Sequence, residues 1–414
     1  MTIGDDGSNV QLRFSSALIT HMRSVLVCLA CLGCLSLCLG GSVWSANITS
    51  PETFSDAPNF GDSLGVSGDW AIIGAAREYR SETDTSIGAV FMYHDLDGVW
   101  VEHSRLAPPT PEHVEYIGQI VAIDGEWAAV GCNTLDRYGR KTGSIVGVYH
   151  LVNDEWVLQF SNEDDSAFVY SVAMGGGVLV LGYPYASRHA GEALVYRLTG
   201  SEYVLETTIV GAKRNALVAA TVAVSADGSR VLTGSQYDGQ VYVYDYVCDT
   251  PVGAQWVLTT TVTADCAVDM PLAIASSGLP FAVADWSSTT YHGAVQIFDS
   301  DEETGDIVCV QTIPGGGRRG ELDNFGDSMA FSSDASLLAV GAPERSTLFI
   351  YARDASGMYS QVDRQTSCGT AEGNDLGSSL SFARGDTLLM SGDPSADGGT
   401  GVVAEFDVSM LMKI

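Results

Sequence analysis

"NFGDSLGVSGDWAIIGAA" at residues 59–76 comes back as "NFGDSMAFSSDASLLAVGAP" at residues 324–343, and this recurrence decides the fold. Each stretch is two short runs of β-forming residues parted by Gly, Asp or Ser, the pattern of a hairpin. Weaker copies stand at 116–133, 168–184, 219–235, 271–285 and 375–394. Seven copies, roughly 50 to 57 residues apart, make an internal repeat whose period is that of a propeller blade and too long for a solenoid coil.

Each hairpin is followed by a third run that opens on a small residue and ends near an aromatic. "GAVFMY" closes on Tyr93, "GEALVY" on Tyr196, "GQVYVY" on Tyr244, "GAVQIF" on Phe298, "STLFIY" on Tyr351 and "GVVAEF" on Phe406. A fourth run follows and often begins with an aromatic, as at Trp100, Trp156, Tyr203, Trp256 and Tyr359. Four short strands per repeat predict an all-β chain, a seven-bladed β-propeller of four-stranded blades. Too few residues follow Phe406 for a seventh outer strand, while "SVWSANITS" (42–50) resembles "GVWVEHSRL" (98–106). The segment after residue 42 is therefore expected to close blade 7.

The pairs Phe60-Gly61 and Phe325-Gly326, with Gly341-Ala342-Pro343, carry a resemblance: the repeats look like FG-GAP repeats, the blades of the integrin α-chain head and of many secreted or surface proteins. The resemblance spans nearly all of the chain after residue 42 and is weakest in blades 3 to 5. It implies a recognition or adhesion role. Integrin-type blades often bind calcium through a D-x-D-x-D-G loop, but the corresponding loops here ("VSGDW", "AIDGEW", "SADGSR", "SSDAS") lack the spaced carboxylates that a calcium shell needs. No metal site and no cofactor is expected. The acidic run "DSDEETGD" (299–306) reads as a solvated turn between a third and a fourth strand.

Composition narrows the partners. The chain carries 51 acidic and 20 basic residues, a net charge of −31, which opposes binding to a phosphate backbone and excludes nucleic acid. Residues 24–43 hold no charge, Arg23 precedes them and small residues follow, as in a secretory signal peptide. Residues 1–42 are thus read as a leader, with Met22 as its start because Asp5 and Asp6 are foreign to a basic signal region. An uncleaved type II membrane anchor is the alternative. Cleavage is expected after Ser42 or Ser45, and Asn47-Ile48-Thr49 is a glycosylation sequon. The C-x2-C-x2-C-x3-C spacing of residues 28–38 falls inside this apolar run, so it is not read as an iron–sulfur site.

Catalytic motifs are present only in outline. Gly61-Asp62-Ser63-Leu64-Gly65 matches G-x-S-x-G, but its serine sits in a first strand rather than at a strand-to-helix elbow. Gly315 to Gly320 fits G-x-G-x-x-G without the strand and helix a dinucleotide needs. No catalytic residue is assigned. Strand order places the 2–3 loops on one face, and those of blades 1 to 3 hold Arg77, Tyr79, Arg80, Arg137, Tyr138, Arg140, Lys141, Tyr183, Tyr185 and Arg188. Trp286 and Tyr291 take the same loop in blade 5. Arg and Tyr combine area with fixed hydrogen-bonding geometry, so these residues are the candidate ligand site. The expected partner is an extracellular protein or carbohydrate, anionic or carbohydrate-like, docking over blades 1 to 3. The alternatives are a propeller enzyme acting on glycans or esters, and a structural coat protein.

Overall fold

The computed structural model describes residues 42–51, 59–77, 79–80, 85–86, 88–109, 114–135, 140–164, 167–248, 253–264, 271–285, 293–316, 324–367 and 374–413. Residues 1–41 of the expected leader, Arg137, Tyr138, Trp286 and Tyr291 lie outside the described residues. Tyr79 and Arg80 are described as backbone only, in a two-residue strand paired with Thr85–Ser86.

Seven antiparallel four-stranded sheets form the ring predicted from the repeat. Blade 1 is Phe60–Ser67, Trp70–Ala75, Ala89–Leu96 and Val99–Arg105, and the other blades follow the same order outward. The first strand of each blade lies against the first strands of its two neighbours, so these strands line the axis and the circle closes from blade 7 to blade 1. Second strands such as Val178–Tyr183 and Leu337–Ala342 are buried at every position. Their near-continuous apolar sequence follows from burial on both faces by adjacent blades. Outer strands such as Glu202–Val210 are mostly exposed and alternate accordingly.

The described core falls into seven clusters, one between each pair of neighbouring blades. Phe60, Phe91 and Tyr93 meet Met390 and Val403 of blade 7, for example. Among the described residues no blade holds a core of its own. Stability therefore depends on stacking around the whole circle.

Two recurring devices explain the repeated residues. Ser379 Oγ donates to the Gly61 carbonyl at 2.8 Å, across the blade 7–blade 1 seam. Ser63 does the same to Gly118 at 2.7 Å, and Ser328 to Gly377 at 2.5 Å. That carbonyl is aimed by the left-handed backbone of Gly61 (φ 91°) and is received by Gly392, where a Cβ would stand 2.0 Å from it. The glycine of one blade's "FG" and the glycine of the previous blade's "GA" are thus two halves of one contact. Between blades 2 and 3 no such staple forms, because blade 2 has Ile120 where the serine would stand. Ser144 instead accepts from Val169 N–H at 2.8 Å and donates to Ala167 O at 3.1 Å.

The second device is a bulge. In every blade the register between third and fourth strands shifts beside the recurring aromatic: Tyr93, Tyr149, Tyr196, Tyr244, Phe298, Tyr351 and Phe406. One extra outer-strand residue at that point increases twist where the blade widens. Val43–Thr49 pairs antiparallel with Val402–Asp407 and carries the same bulge, at Ser45, so the N-terminal segment is the fourth strand of blade 7, as expected from its likeness to 98–106. Trp44 packs edge-on against Phe406 at 5.2 Å, and Ile48 is buried between blades.

Candidate functional site at the mouth of the ring

First strands line the axis, and each begins at the 2–3 loop end of its blade, as the Phe60–Ala75 pairing shows, so the residue after the FG pair stands where the ring opens on that face. Blade 1 places Asp62 there, blade 2 Gln119, blade 3 Tyr170, blade 4 Ala220, blade 6 Asp327 and blade 7 Ser378. These positions share a register but not a chemistry. The mouth is acidic over blades 6, 7 and 1 and aromatic over blade 3.

The acidic side gathers Asp62, Asp327 and Asp375, with Glu344 from the 2–3 loop of blade 6 and Asp393 from the end of the second strand of blade 7. Burial pushes the Asp62 carboxyl up to about 6; Arg77 opposes this and Asp375 adds to it. Asp327 is likewise raised to about 6, by burial first and then by Glu344, Asp375 and Asp62. Asp393 is raised chiefly by burial; it accepts the Asp375 backbone N–H at 2.8 Å, while Ser395 Oγ donates to Asp375. Carboxyls that titrate near neutrality both donate and accept hydrogen bonds, so this side suits hydroxyl groups or a cation.

On the aromatic side, Tyr170 and Tyr185 meet at 5.2 Å between ring centroids, and Tyr185 meets His189 at 5.6 Å. Tyr170 is 50% exposed and Tyr185 38%. The loop that carries Tyr185 and His189 is held in an unusual conformation: Ser187, Arg188 and His189 have φ of 47°, 61° and 67°, three successive non-glycine residues in the left-handed region. Such backbone costs free energy and recurs at ligand sites. A hydrogen bond from Ser187 Oγ to Glu192 Oε1 ties it down.

The structure sorts the residues singled out from sequence. Tyr185 and Arg188 are exposed on the expected loop face, and Arg77 is exposed beside the Asp62 carboxyl. Arg140 is exposed as well. Tyr183 is a correction: it is buried at 2% exposure, its hydroxyl donating to Asn162 Oδ1 at 2.8 Å, because it continues the fully buried second strand. Lys141 pairs with Glu115 at 3.0 Å and lies 4.5 Å over the Tyr116 ring, so its charge is engaged within blade 2. His94 and His150 stack on Trp70 and Trp127 at the opposite end of the blades.

Sequence reasoning missed Asp62, Asp327, Asp375 and Tyr170. The signal was available in "FGDS" and "FVYS", whose third letters vary between blades while their serines persist. Asp301, in the acidic run, accepts N–H groups of Glu303 and Thr304 and caps its own turn, and Asp299 pairs with Arg353.

No family model matches the chain, and no curated protein matches it in sequence. Among solved structures it is similar to a protein from Lactobacillus plantarum, with a TM-score of 0.56 at 12% identity over 80% of this chain and 90% of that one. A chain of a mitotic checkpoint complex gives 0.56 at 14%, over 90% and 96%. The periplasmic gluconolactonase of Pseudomonas aeruginosa gives 0.50 at 15%, over 73% and 84%. At these identities the likeness is one of fold, and the fold it supports is that of a seven-bladed β-propeller.

Proposed function

We propose that the chain is a secreted or surface-displayed, non-catalytic binding propeller of the FG-GAP type that takes a carbohydrate at the mouth of its ring. The observation that carries this reading is the exposed Tyr170–Tyr185–His189 platform, on the same loop face as the half-buried carboxyls. Sugar rings present C–H faces that stack on tyrosines and hydroxyls that pair with carboxyl groups, and the mouth offers both. Its acidic side speaks against an anionic ligand and favours a neutral glycan. The FG-GAP assignment draws support from the glycine-to-glycine seam, which gives the motif's residues a physical role.

Secretion would follow from residues 1–42 acting as a cleaved leader that starts at Met22, and display from the same run retained as an anchor. Asn47 is exposed on the outermost strand of blade 7, where a glycan has room. Binding of the secreted chain to a glycan array tests the reading. Tyr170→Ala and Tyr185→Ala should each weaken the best glycan about 10-fold, roughly 1.4 kcal/mol, while leaving Tm unchanged. Undiminished binding in both variants would remove the platform from the site.

A second reading, hydrolysis of a glycan or a cyclic or open ester, is favoured by one feature: two carboxyls held near pKa 6 on one side of the channel mouth, suited to proton transfer at neutral pH. Turnover on a lactone and ester panel that disappears in Asp62→Asn would establish it over the first.

A further inference from the structure

The seam between blade 6 and the closing strand holds an anionic seat for a chain terminus. Asp363, half-buried on the outer strand of blade 6, accepts three neutral donors on one oxygen. They are the Ser42 backbone N–H at 2.8 Å, the Ser42 hydroxyl, and Gln365 Nε2 at 3.0 Å. Gln365 Nε2 also reaches Ser42 Oγ at 2.9 Å and Ser42 O at 3.2 Å, so Ser42 is gripped from both sides of its peptide unit. Among the described residues no Lys, Arg or His forms an ion pair with Asp363. A carboxylate that collects neutral donors at one point, without a cation, is a ready counter-charge for an ammonium placed there.

We infer that Ser42 is the first residue of the mature protein and that its α-ammonium seats on Asp363; the inference rests on the secretion reading above. Hydrolysis of the Gly41–Ser42 peptide bond by a leader peptidase consumes one water, leaving a carboxylate on Gly41 and an ammonium on Ser42. The Ser42 nitrogen that donates one N–H at 2.8 Å then carries a full charge at the same place. Register fixes that place, because Val43 is already paired with Asp407. The two cuts expected from small residues fare worse. Cleavage after Ser45 removes Trp44 from Phe406 and from Asn47 Oδ1, which it now meets at 2.8 Å. Cleavage after Ser42 strips Asp363 of both Ser42 donors and leaves it Gln365 Nε2. Cleavage before Ser42 keeps both contacts; Gly41 stands directly ahead of that cut but Leu39 takes the third place back, so the contacts rather than the small-residue pattern favour it. Processing and ring closure become one event, in which removal of the leader charges the strand that seals blade 7 to blade 6.

Intact mass and N-terminal sequencing of the chain secreted from its full-length form should show Ser42 first. A start at Val43 or Ala46 would overturn the inference and leave secretion standing, whereas an intact leader would overturn both. The charge is tested separately with chains that begin at Ser42 or at Gly41, each with Asp363 or Asp363→Asn. The Ser42 chain should melt several degrees above the Gly41 chain, and the gap should close in Asp363→Asn. Acetylating Ser42 should abolish the advantage without any substitution. Equal melting of the Ser42, Gly41 and acetylated chains would show that no ammonium is seated there.

Discussion

Asp62 and Asp327 are carboxyls that the fold holds against their own ionisation. Their ordinary value is 3.8 and burial lifts both to about 6. A group whose folded value lies above its unfolded one stabilises the fold below the unfolded value, and that stabilisation is lost as pH rises through the folded value. Between about pH 4 and 6 the protein should therefore lose stability as these carboxyls ionise, by something on the order of 1–3 kcal/mol each. Asp62→Asn and Asp327→Asn should raise Tm at pH 7.5 and leave it nearly unchanged at pH 4, as thermal melts across that window would show. A lower Tm at pH 7.5 would mean that the charged carboxyls hold the mouth together rather than strain it. Neutral replacements that stabilise the fold are the mark of a position kept for binding or catalysis.

The blade seam works through a serine hydroxyl, a carbonyl and a glycine. Ser379→Ala leaves the Gly61 carbonyl without its donor and should cost about 1–3 kcal/mol in urea unfolding. Gly392→Ala places a methyl 2.0 Å from the same oxygen, so the blades must part, and the loss should be larger than for the serine. If both variants unfold like the wild type, the seam is held by its apolar cluster alone. This pairing also explains why the outline of a nucleophile elbow in "GDSLG" is structural. Ser63 spends its hydroxyl on Gly118 of the next blade.

Ring closure concerns the whole molecule. A chain that begins at Ser50 would lack the strand Val43–Thr49, exposing the edge of Val402–Asp407 and the face of Phe406. An unpaired strand edge is a template for association, so this truncation should melt lower and aggregate on size-exclusion chromatography. A synthetic peptide of residues 42–50 should restore part of the lost Tm by filling the gap. A truncated chain as stable and monodisperse as the full one would show that three strands suffice for blade 7. Because each core cluster lies between two blades, the defect should propagate as one cooperative transition.

Blade number, strand order and the closing strand were all legible in the sequence. They rest on local chemistry repeated seven times: a hairpin, a small residue opening the third strand, an aromatic near its end. Likeness to 98–106 was enough to place 43–49, because an outer strand looks the same whichever end of the chain supplies it. The site was less legible. Tyr183 and Tyr185 stand two residues apart on one loop-facing segment, yet one continues a buried strand and the other leaves it, and only packing between blades separates them. Asp62 and Asp327 are marked in the sequence only as members of a repeated "FGDS"; closure of the ring brings them beside Asp375 and withdraws them from water. Repetition along the chain is written in single residues, whereas convergence at an axis exists only once seven separate segments have been folded onto it.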